Sequence, residues 1–140
     1  MLLQLTQKVT LNKYKNVLEL PKMDQSLLPG QKCSVAGWGL YHAGSHLSDV
    51  LRELNVKIID SRMCNNSRFW AGGVFESMIC IQGEDSSLCK GDYGGPLVCG
   101  KNILTGVISF GIPTCSIDIF KPPVVTAVAK FIKWIKSTMA

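Results

Sequence analysis

The sequence lacks the features that mark several common classes of protein. None of its apolar runs is long enough to cross a bilayer as a helix, so no membrane span is predicted. No run of basic residues is interleaved with aromatic residues, which argues against nucleic-acid binding. The net charge of +5 is mild, and the scattered lysines indicate at most a loose affinity for acidic glycans. No motif for a cofactor is present, and none is predicted.

The six cysteines form no C-x-x-C pair, which favours three disulfides over a zinc site. Disulfides place folding in an oxidising compartment. The first eight residues nevertheless lack the charged start and the apolar core of a signal peptide. We therefore expect that the front of the protein precedes this sequence.

Two histidines, His42 and His46, lie four residues apart and are a candidate metal pair. Gly44 and Ser45 stand between them, and no helix is predicted there that would align the two rings. Exposed loop histidines are the preferred interpretation, and no metal site is predicted.

The pattern of apolar residues predicts an all-β barrel followed by a C-terminal α-helix. A short helix is expected after Asp60 or Ser61, either of which can serve as its N-cap. A longer helix is expected over 127–139, with Val128, Phe131, Ile132 and Ile135 on one face. Strands are predicted at residues 2–5, 33–39, 50–59, 78–81, 97–99, 103–110 and 124–125. At 140 residues, the chain has the length of a single domain.

The most informative stretch runs from Cys89 to Cys99, because its closely spaced glycines predict a tight turn with the apex residue pushed outward. It resembles the nucleophile loop of the trypsin-like (chymotrypsin-fold) serine proteases, which reads G-D-S-G-G-P-L. Tyr93 stands where that family has its attacking serine.

Four further segments resemble the same family, in the same order along the chain. They are 35–39 (Val-Ala-Gly-Trp-Gly), 51–56 (Leu-Arg-Glu-Leu-Asn-Val), 109–111 (Ser-Phe-Gly), and 121–126 with the helix after it. Residues 2–22 resemble the granzyme A or K branch. The resemblance covers residues 1–140 but only the second half of the family's domain. It implies the second (C-terminal) barrel of the chymotrypsin-like double β-barrel. The family's catalytic histidine and aspartate fall before Met1, and the first barrel is expected to be absent.

The family's cysteine pattern implies a specific set of disulfides. The pairs are Cys33–Cys99, Cys64–Cys80 and Cys89–Cys115. Independently of the resemblance, Asn65-Asn66-Ser67 is a sequon that makes Asn65 a candidate glycosylation site, provided that the protein is secreted.

Tyr93 has two interpretations, as a substitute nucleophile or as a plug in an inactive site. A phenol is a poor nucleophile at neutral pH without a base, and its oxygen would stand where the substrate belongs. The plug is therefore preferred.

Gly91 and Asp92 keep the residues of the family's oxyanion loop. In that family the aspartate pairs with an amine from the first barrel, so we expect Asp92 to lack a partner, and the loop to rearrange.

The resemblance also identifies residues of the family's specificity pocket. Ser87 occupies the floor position, where an aspartate would select lysine or arginine. Ser109, Phe110 and Gly111 match the edge strand that pairs with substrate. Pro123 replaces a glycine of the pocket wall, and Val125 replaces a tyrosine behind it, so a normal pocket is not expected.

Three functional hypotheses follow from these residues. The first is a catalytically inactive, secreted or granule-stored homologue that serves binding, with its protein partner unknown. The second is an incomplete sequence or truncated isoform of an active granzyme-like endopeptidase, and the third is a decayed gene product. We also expect this half to be unstable alone, since Leu2, Leu3, Leu5 and the apolar face of the C-terminal helix would lose their cover.

Overall fold

Six antiparallel strands form a closed barrel in the computed structural model, which describes residues 1–23, 25–111 and 115–140. Around the barrel, the strands follow the order β1-β2-β3-β6-β5-β4. The strands are β1 (Lys32–Gly37), β2 (Arg52–Ile58), β3 (Met78–Gly83), β4 (Pro96–Cys99), β5 (Ile103–Phe110) and β6 (Val124–Ala127). The predicted all-β barrel is therefore confirmed, with each strand close to its expected position.

Alternation of apolar side chains explains how these strands enclose a core. In β2, Val56 and Ile58 are buried while Lys57 between them faces outward. The β4–β5 hairpin forms around Gly100 and Asn102, both with positive φ, which glycine and asparagine tolerate best. The interior is filled by buried residues from every strand, including Val35, Ile81, Leu97, Ile108 and Val125.

The short helix α1 (Ser61–Cys64) begins as predicted, with Asp60 as its N-cap. The Oδ1 atom of Asp60 accepts hydrogen bonds from the backbone N–H groups of Arg62 (2.8 Å) and Met63 (3.1 Å). These bonds, the one from Met63 above all, lower the pKa of Asp60 below its ordinary value, because they favour the ionised carboxylate.

The C-terminal segment differs from its prediction in two respects. It is a 3₁₀ turn (Val128–Phe131) followed by helix α2 (Ile132–Met139), so its side chains do not follow a single α-helical period. Phe131 is consequently exposed, not on the buried face. Val128, Ile132 and Ile135 are buried and pack with Leu104 of β5. The expectation that this face would lose its cover is therefore wrong.

The N-terminal arm, defined here as residues 1–20, contains no strand, so the strand predicted at residues 2–5 is wrong. A closed barrel has no free edge for it to join. Leu2, Leu3 and Leu5 are exposed, as expected for residues without a sheet. The arm is tied to the barrel near its end, where the Glu19 N–H donates to the carbonyl of Asn102 (2.8 Å) and the Leu104 N–H donates to the carbonyl of Glu19 (2.8 Å).

Three disulfides connect the parts of the fold, and they are the pairs that the resemblance implies. Cys33–Cys99 joins β1 to β4, where the two residues are direct neighbours in the sheet. Cys64–Cys80 joins α1 to β3, and Cys89–Cys115 joins the loops before β4 and after β5. Among the described residues, no helix is long and apolar enough to cross a membrane.

Candidate functional site

The turn between Cys89 and β4 is built around glycines that no other residue could replace without strain. Gly91 has a φ of +100°, and a Cβ atom there would lie 2.8 Å from Leu47 Cδ2 and 2.9 Å from Gly39 Cα. Gly94 has a φ of +80°. Both the backbone conformation and the close approach of neighbouring chain therefore require glycine at position 91.

Tyr93 lies at the apex of this turn, with half of its side chain (50%) exposed to solvent. The turn is fixed on both sides of it: the Gly95 N–H donates to the carbonyl of Asp92 (3.0 Å), and the Gly94 N–H donates to the carbonyl of Ile108 (2.9 Å). A third bond, from the Ile108 N–H to the carbonyl of Gly95 (2.9 Å), ties the turn to β5. The bonded turn therefore presents the phenol of Tyr93 at the surface of the barrel.

Asp92 is half-buried, and the expectation that it lacks a partner is wrong. Its Oδ1 accepts a hydrogen bond from the Gly39 N–H and its Oδ2 accepts one from the Cys89 N–H, each of 2.9 Å. Bonds of this kind, from amide donors to an ionised carboxylate, are about twice as strong as neutral ones. These two bonds hold the carboxylate of Asp92 inward, so the loop keeps it bonded on both oxygens.

Ser87 lies beside Asp92 in a cavity of about 250 Å³. The walls come from β1, β2 and the loop before β4, and include Val35, Gly39, Leu54 and Leu88. The other residues assigned to the specificity pocket do not line this cavity. Ser87 thus shares a cavity with Asp92 and not with the other residues that the resemblance assigns to the pocket.

The remaining predicted pocket residues lie together at the β5–β6 side. Phe110 pairs with Val124 in the sheet, and a Cβ atom at Gly111 would lie 3.2 Å from the Cα of Pro123. Ser109 is exposed, Pro123 is buried, and Val125 belongs to the barrel core. The structure therefore brings Phe110, Gly111 and Pro123 into one wall but uses Val125 for packing.

Trp70 completes that wall, although the sequence motifs did not identify it as a site residue. Its indole N–H donates to the carbonyl of Pro122 (3.1 Å), and its ring meets Phe110 edge-on with centroids 5.1 Å apart. A Cβ atom at Gly111 would lie 3.1 Å from Trp70 Cζ2. The sequence did contain one indication of this role. Phe69 and Trp70 are adjacent aromatic residues in the loop that the Cys64–Cys80 disulfide closes, and aromatic residues in such a loop are expected to pack against the barrel.

The two histidines lie in the loop between β1 and β2. His42 packs edge-on against Tyr41, and its Nδ1 lies 2.9 Å from the carbonyl oxygen of Ala43. Among the described residues, no group of three or more potential metal ligands comes together. The loop does contact the glycine turn, since the Leu40 N–H donates to the carbonyl of Lys90 (2.9 Å).

Asn65 is half-buried at the end of α1 and supports the loop that follows. Its side-chain oxygen accepts a hydrogen bond from the Val74 N–H (3.0 Å), and its own backbone N–H donates to the carbonyl of Ser61 (3.0 Å). Glycosylation of Asn65 stays a prediction. A glycan there would have to leave the hydrogen bond from Val74 in place.

The protein has the chymotrypsin fold. Its six-stranded antiparallel barrel and C-terminal helix define that class. The chain belongs to the trypsin family of serine proteases, because the family described as "Trypsin" matches residues 1–135.

The similarity to individual proteins agrees with this assignment. The chain is 52% identical to human granzyme M over 138 residues, covering 96% of this chain and 53% of that protein. It is 40% identical to granzyme A of Bos taurus, covering 99% of this chain and 55% of that protein. The identity with granzyme M thus exceeds that with granzyme A, although the N-terminal segment had indicated the granzyme A or K branch.

Among solved structures, the mouse brain serine protease neuropsin matches with a TM-score of 0.83 and 31% identity, covering 96% of this chain and 59% of that one. The chain therefore spans between half and three-fifths of the length of these relatives.

Proposed function

We propose that this chain is a catalytically inactive, granzyme-like homologue of the serine proteases, whose barrel serves binding and not peptide hydrolysis. The observation that carries the proposal is that Tyr93, half-exposed at the apex of the glycine turn, stands at the position that the resemblance assigns to the nucleophile. A bulky phenol at the apex supplies no serine hydroxyl and takes up the space in which a scissile carbonyl would approach.

The domain organisation supports the same conclusion. We propose that residues 1–140 correspond to the second barrel of the family's two-barrel domain. The resemblance assigns the family's catalytic histidine and aspartate to the other barrel, so this barrel by itself supplies neither. Its two histidines lie in the β1–β2 loop, and His42 is engaged locally with Tyr41 and Ala43.

The second candidate function is a part of an active granzyme-like endopeptidase. One observation favours it: the turn around Gly91 and Asp92 is well bonded, as an active protease of this family would need. Tyr93 argues against it, because adding a first barrel would restore a base but not a nucleophile. A decayed gene product remains the third hypothesis.

Localisation and partners follow from the family membership. Three disulfides and the likeness to granzymes support a secreted or granule-stored protein. A protein partner that binds the barrel surface is proposed without a specified identity, and the scattered lysines are compatible with acidic glycans.

Activity measurements test the proposal directly. The purified chain is incubated with a panel of chromogenic peptide substrates and, separately, with a fluorophosphonate active-site label. We expect no inhibitor-sensitive turnover and no label on Tyr93. Turnover that a serine-protease inhibitor abolishes, or label mapped to Tyr93, would overturn it, because either result would show a working nucleophile in this chain.

A further inference from the structure

The loop after β5 contains a turn of unusual composition. Asp118 to Lys121 form a β-turn in which the Lys121 N–H donates to the carbonyl of Asp118 (3.3 Å). Its two central residues are Ile119 and Phe120, whose side chains are 54% and 46% exposed. Central positions of turns are normally glycine, proline, asparagine, aspartate or serine. Two large apolar residues at an exposed tip therefore need an explanation other than turn formation.

Hydrogen bonds and a disulfide hold the backbone of this turn. The Asp118 Oδ1 accepts hydrogen bonds from the N–H groups of Phe120 (2.9 Å) and Lys121 (3.2 Å). The loop is also covalently tied near its start through the Cys89–Cys115 disulfide. Ile117, between the disulfide and the turn, is exposed as well. The three apolar residues 117, 119 and 120 thus lie exposed on a hydrogen-bonded and cross-linked loop.

Lys121 and the chain segment that carries Arg68 lie next to the apolar tip. The Phe120 ring meets Phe69 edge-on with centroids 5.8 Å apart, which brings the tip next to the Arg68-Phe69-Trp70 segment. The Lys121 ammonium lies 4.7 Å from the centre of the Trp70 ring and donates a hydrogen bond to the carbonyl of Phe69. The side chains of Arg68 and Lys121 are exposed. Asp118 is the acidic group in this turn, and two backbone N–H groups occupy one of its oxygens.

We propose that this tip, formed by Ile117, Ile119 and Phe120 with Arg68 and Lys121 behind it, docks on a bilayer that contains anionic phospholipid. Aliphatic and aromatic side chains of this kind enter the boundary between headgroups and acyl chains, while lysine and arginine remain at the level of the lipid phosphates. The net charge of +5 adds a long-range attraction to the same surface.

A lipid surface fits this tip better than a protein does. Stable protein interfaces use about 20–30 residues on each side, whereas the tip presents three apolar side chains on one loop. Insertion into lipid needs only a few apolar groups, supported by nearby cations. This inference does not depend on the catalytic status of the chain.

Vesicle co-sedimentation of the whole chain tests the proposal. The probes are phosphatidylcholine vesicles with and without about 30% phosphatidylserine, at low and high salt. We expect binding to the anionic vesicles that weakens with salt. Phe120→Asp and Ile119→Asp should each weaken it at least about tenfold, because each places a carboxylate in the apolar boundary. Arg68→Gln and Lys121→Gln should each weaken it by about fivefold.

Leu28→Asp is the control, since Leu28 is an apolar residue that is more exposed (69%) than the tip residues and lies beside a different turn. It should bind as the unaltered chain does. A Phe120→Trp variant checks insertion independently of the acidic substitutions: its added fluorescence should be quenched by vesicles with brominated acyl chains. The proposal is wrong if the unaltered chain does not bind, or if Leu28→Asp weakens binding as much as Phe120→Asp. A dimer that Phe120→Asp dissociates, without vesicle binding, would overturn it in favour of a second copy of this chain.

Discussion

The Oδ1 atom of Asp92 accepts a 2.9 Å hydrogen bond from the backbone N–H of Gly39, a residue 53 positions earlier in the chain. The Asp92 carboxylate lies so close to this segment that only glycine fits at positions 37 and 39, on either side of Trp38. A Cβ atom at Gly37 or at Gly39 would overlap with the Asp92 carboxylate. The segments 35–39 and 91–95 are therefore one structural unit, in which glycines on β1 and after it make room for the carboxylate of the apex turn.

This relationship predicts that Gly39→Ala is strongly destabilising. The added methyl displaces the Asp92 carboxylate and breaks a charge-assisted hydrogen bond, at a cost of about 2–4 kcal/mol in the free energy of unfolding. Gly44→Ala is the control: Gly44 has a φ of +83°, but a methyl group added there would have no neighbouring atom within 4 Å. It should cost about 1 kcal/mol. Urea unfolding measures both, and equal losses would contradict the prediction.

The fold could be predicted because apolar and polar residues alternate along its strands, as in β2, where Val56 and Ile58 face the core. The partners of Asp92 could not, since backbone N–H groups are present at every residue and leave no mark in the sequence. The contact of Trp70 could not be predicted for a similar reason, because its hydrogen-bond acceptor is a backbone carbonyl, that of Pro122. The error at Phe131 came from assuming one α-helical period through a segment that starts as a 3₁₀ turn.

The proposed inactivity predicts that Tyr93→Ser alone restores no hydrolysis. The substitution supplies the hydroxyl but no base to activate it, and loss of a single member of such a catalytic set costs about 10⁴–10⁶-fold in turnover. Chromogenic peptide assays of Tyr93→Ser and of the unaltered chain should therefore be indistinguishable. Inhibitor-sensitive turnover in Tyr93→Ser alone would show that this chain carries a functional base.

The disulfide arrangement predicts a single result among the fifteen pairings that six cysteines allow. Peptide mapping under non-reducing conditions should recover Cys33–Cys99, Cys64–Cys80 and Cys89–Cys115. The same digest after reduction is the control, and it should lose all three linked peptides. Free thiols throughout, or a different set of pairs, would contradict both the structure and the proposed oxidising compartment.

Asp60 gives the fold a defined dependence on pH. Its pKa is lowered in the folded chain, chiefly by the hydrogen bond from the Met63 N–H. Its contribution to stability is therefore fully present above its unfolded pKa, near 4, and is lost as the pH falls through the lower folded value. Asp60→Asn keeps an oxygen to cap α1 but cannot ionise, so its stability should fall less steeply in acid.

Asp60→Ala is the comparison for that measurement. It removes both the charge and the capping oxygen, and should lower stability at neutral pH as well as flattening the acid response. Urea unfolding at several pH values between about 2 and 7 separates the two effects. An acid response in Asp60→Asn as steep as in the unaltered chain would exclude Asp60 as its source.

The N-terminal arm should be the first part of the chain to be cut by trypsin. Residues 1–20 have exposed side chains, and within the arm Lys8, Lys13 and Lys15 offer cleavage sites. The hydrogen bonds between Glu19 and the β4–β5 hairpin lie after these lysines, so cleavage before Glu19 leaves the anchored part in place. We therefore expect a resistant fragment that starts after Lys15 and retains Val128, Ile132 and Ile135 in their buried positions.

A thermal melt of this fragment distinguishes a frayed arm from a barrel that depends on it. Because the arm's apolar side chains are exposed, their removal forfeits little buried surface, and the fragment should melt cooperatively close to the intact chain. Size-exclusion chromatography of both forms adds a second comparison. If the exposed leucines cause self-association, the intact chain should elute as an oligomer. The fragment should then elute later than its loss of the residues before Asn16 alone would cause. First cleavage within the barrel, or a fragment that no longer melts cooperatively, would show that the arm is part of the stable fold.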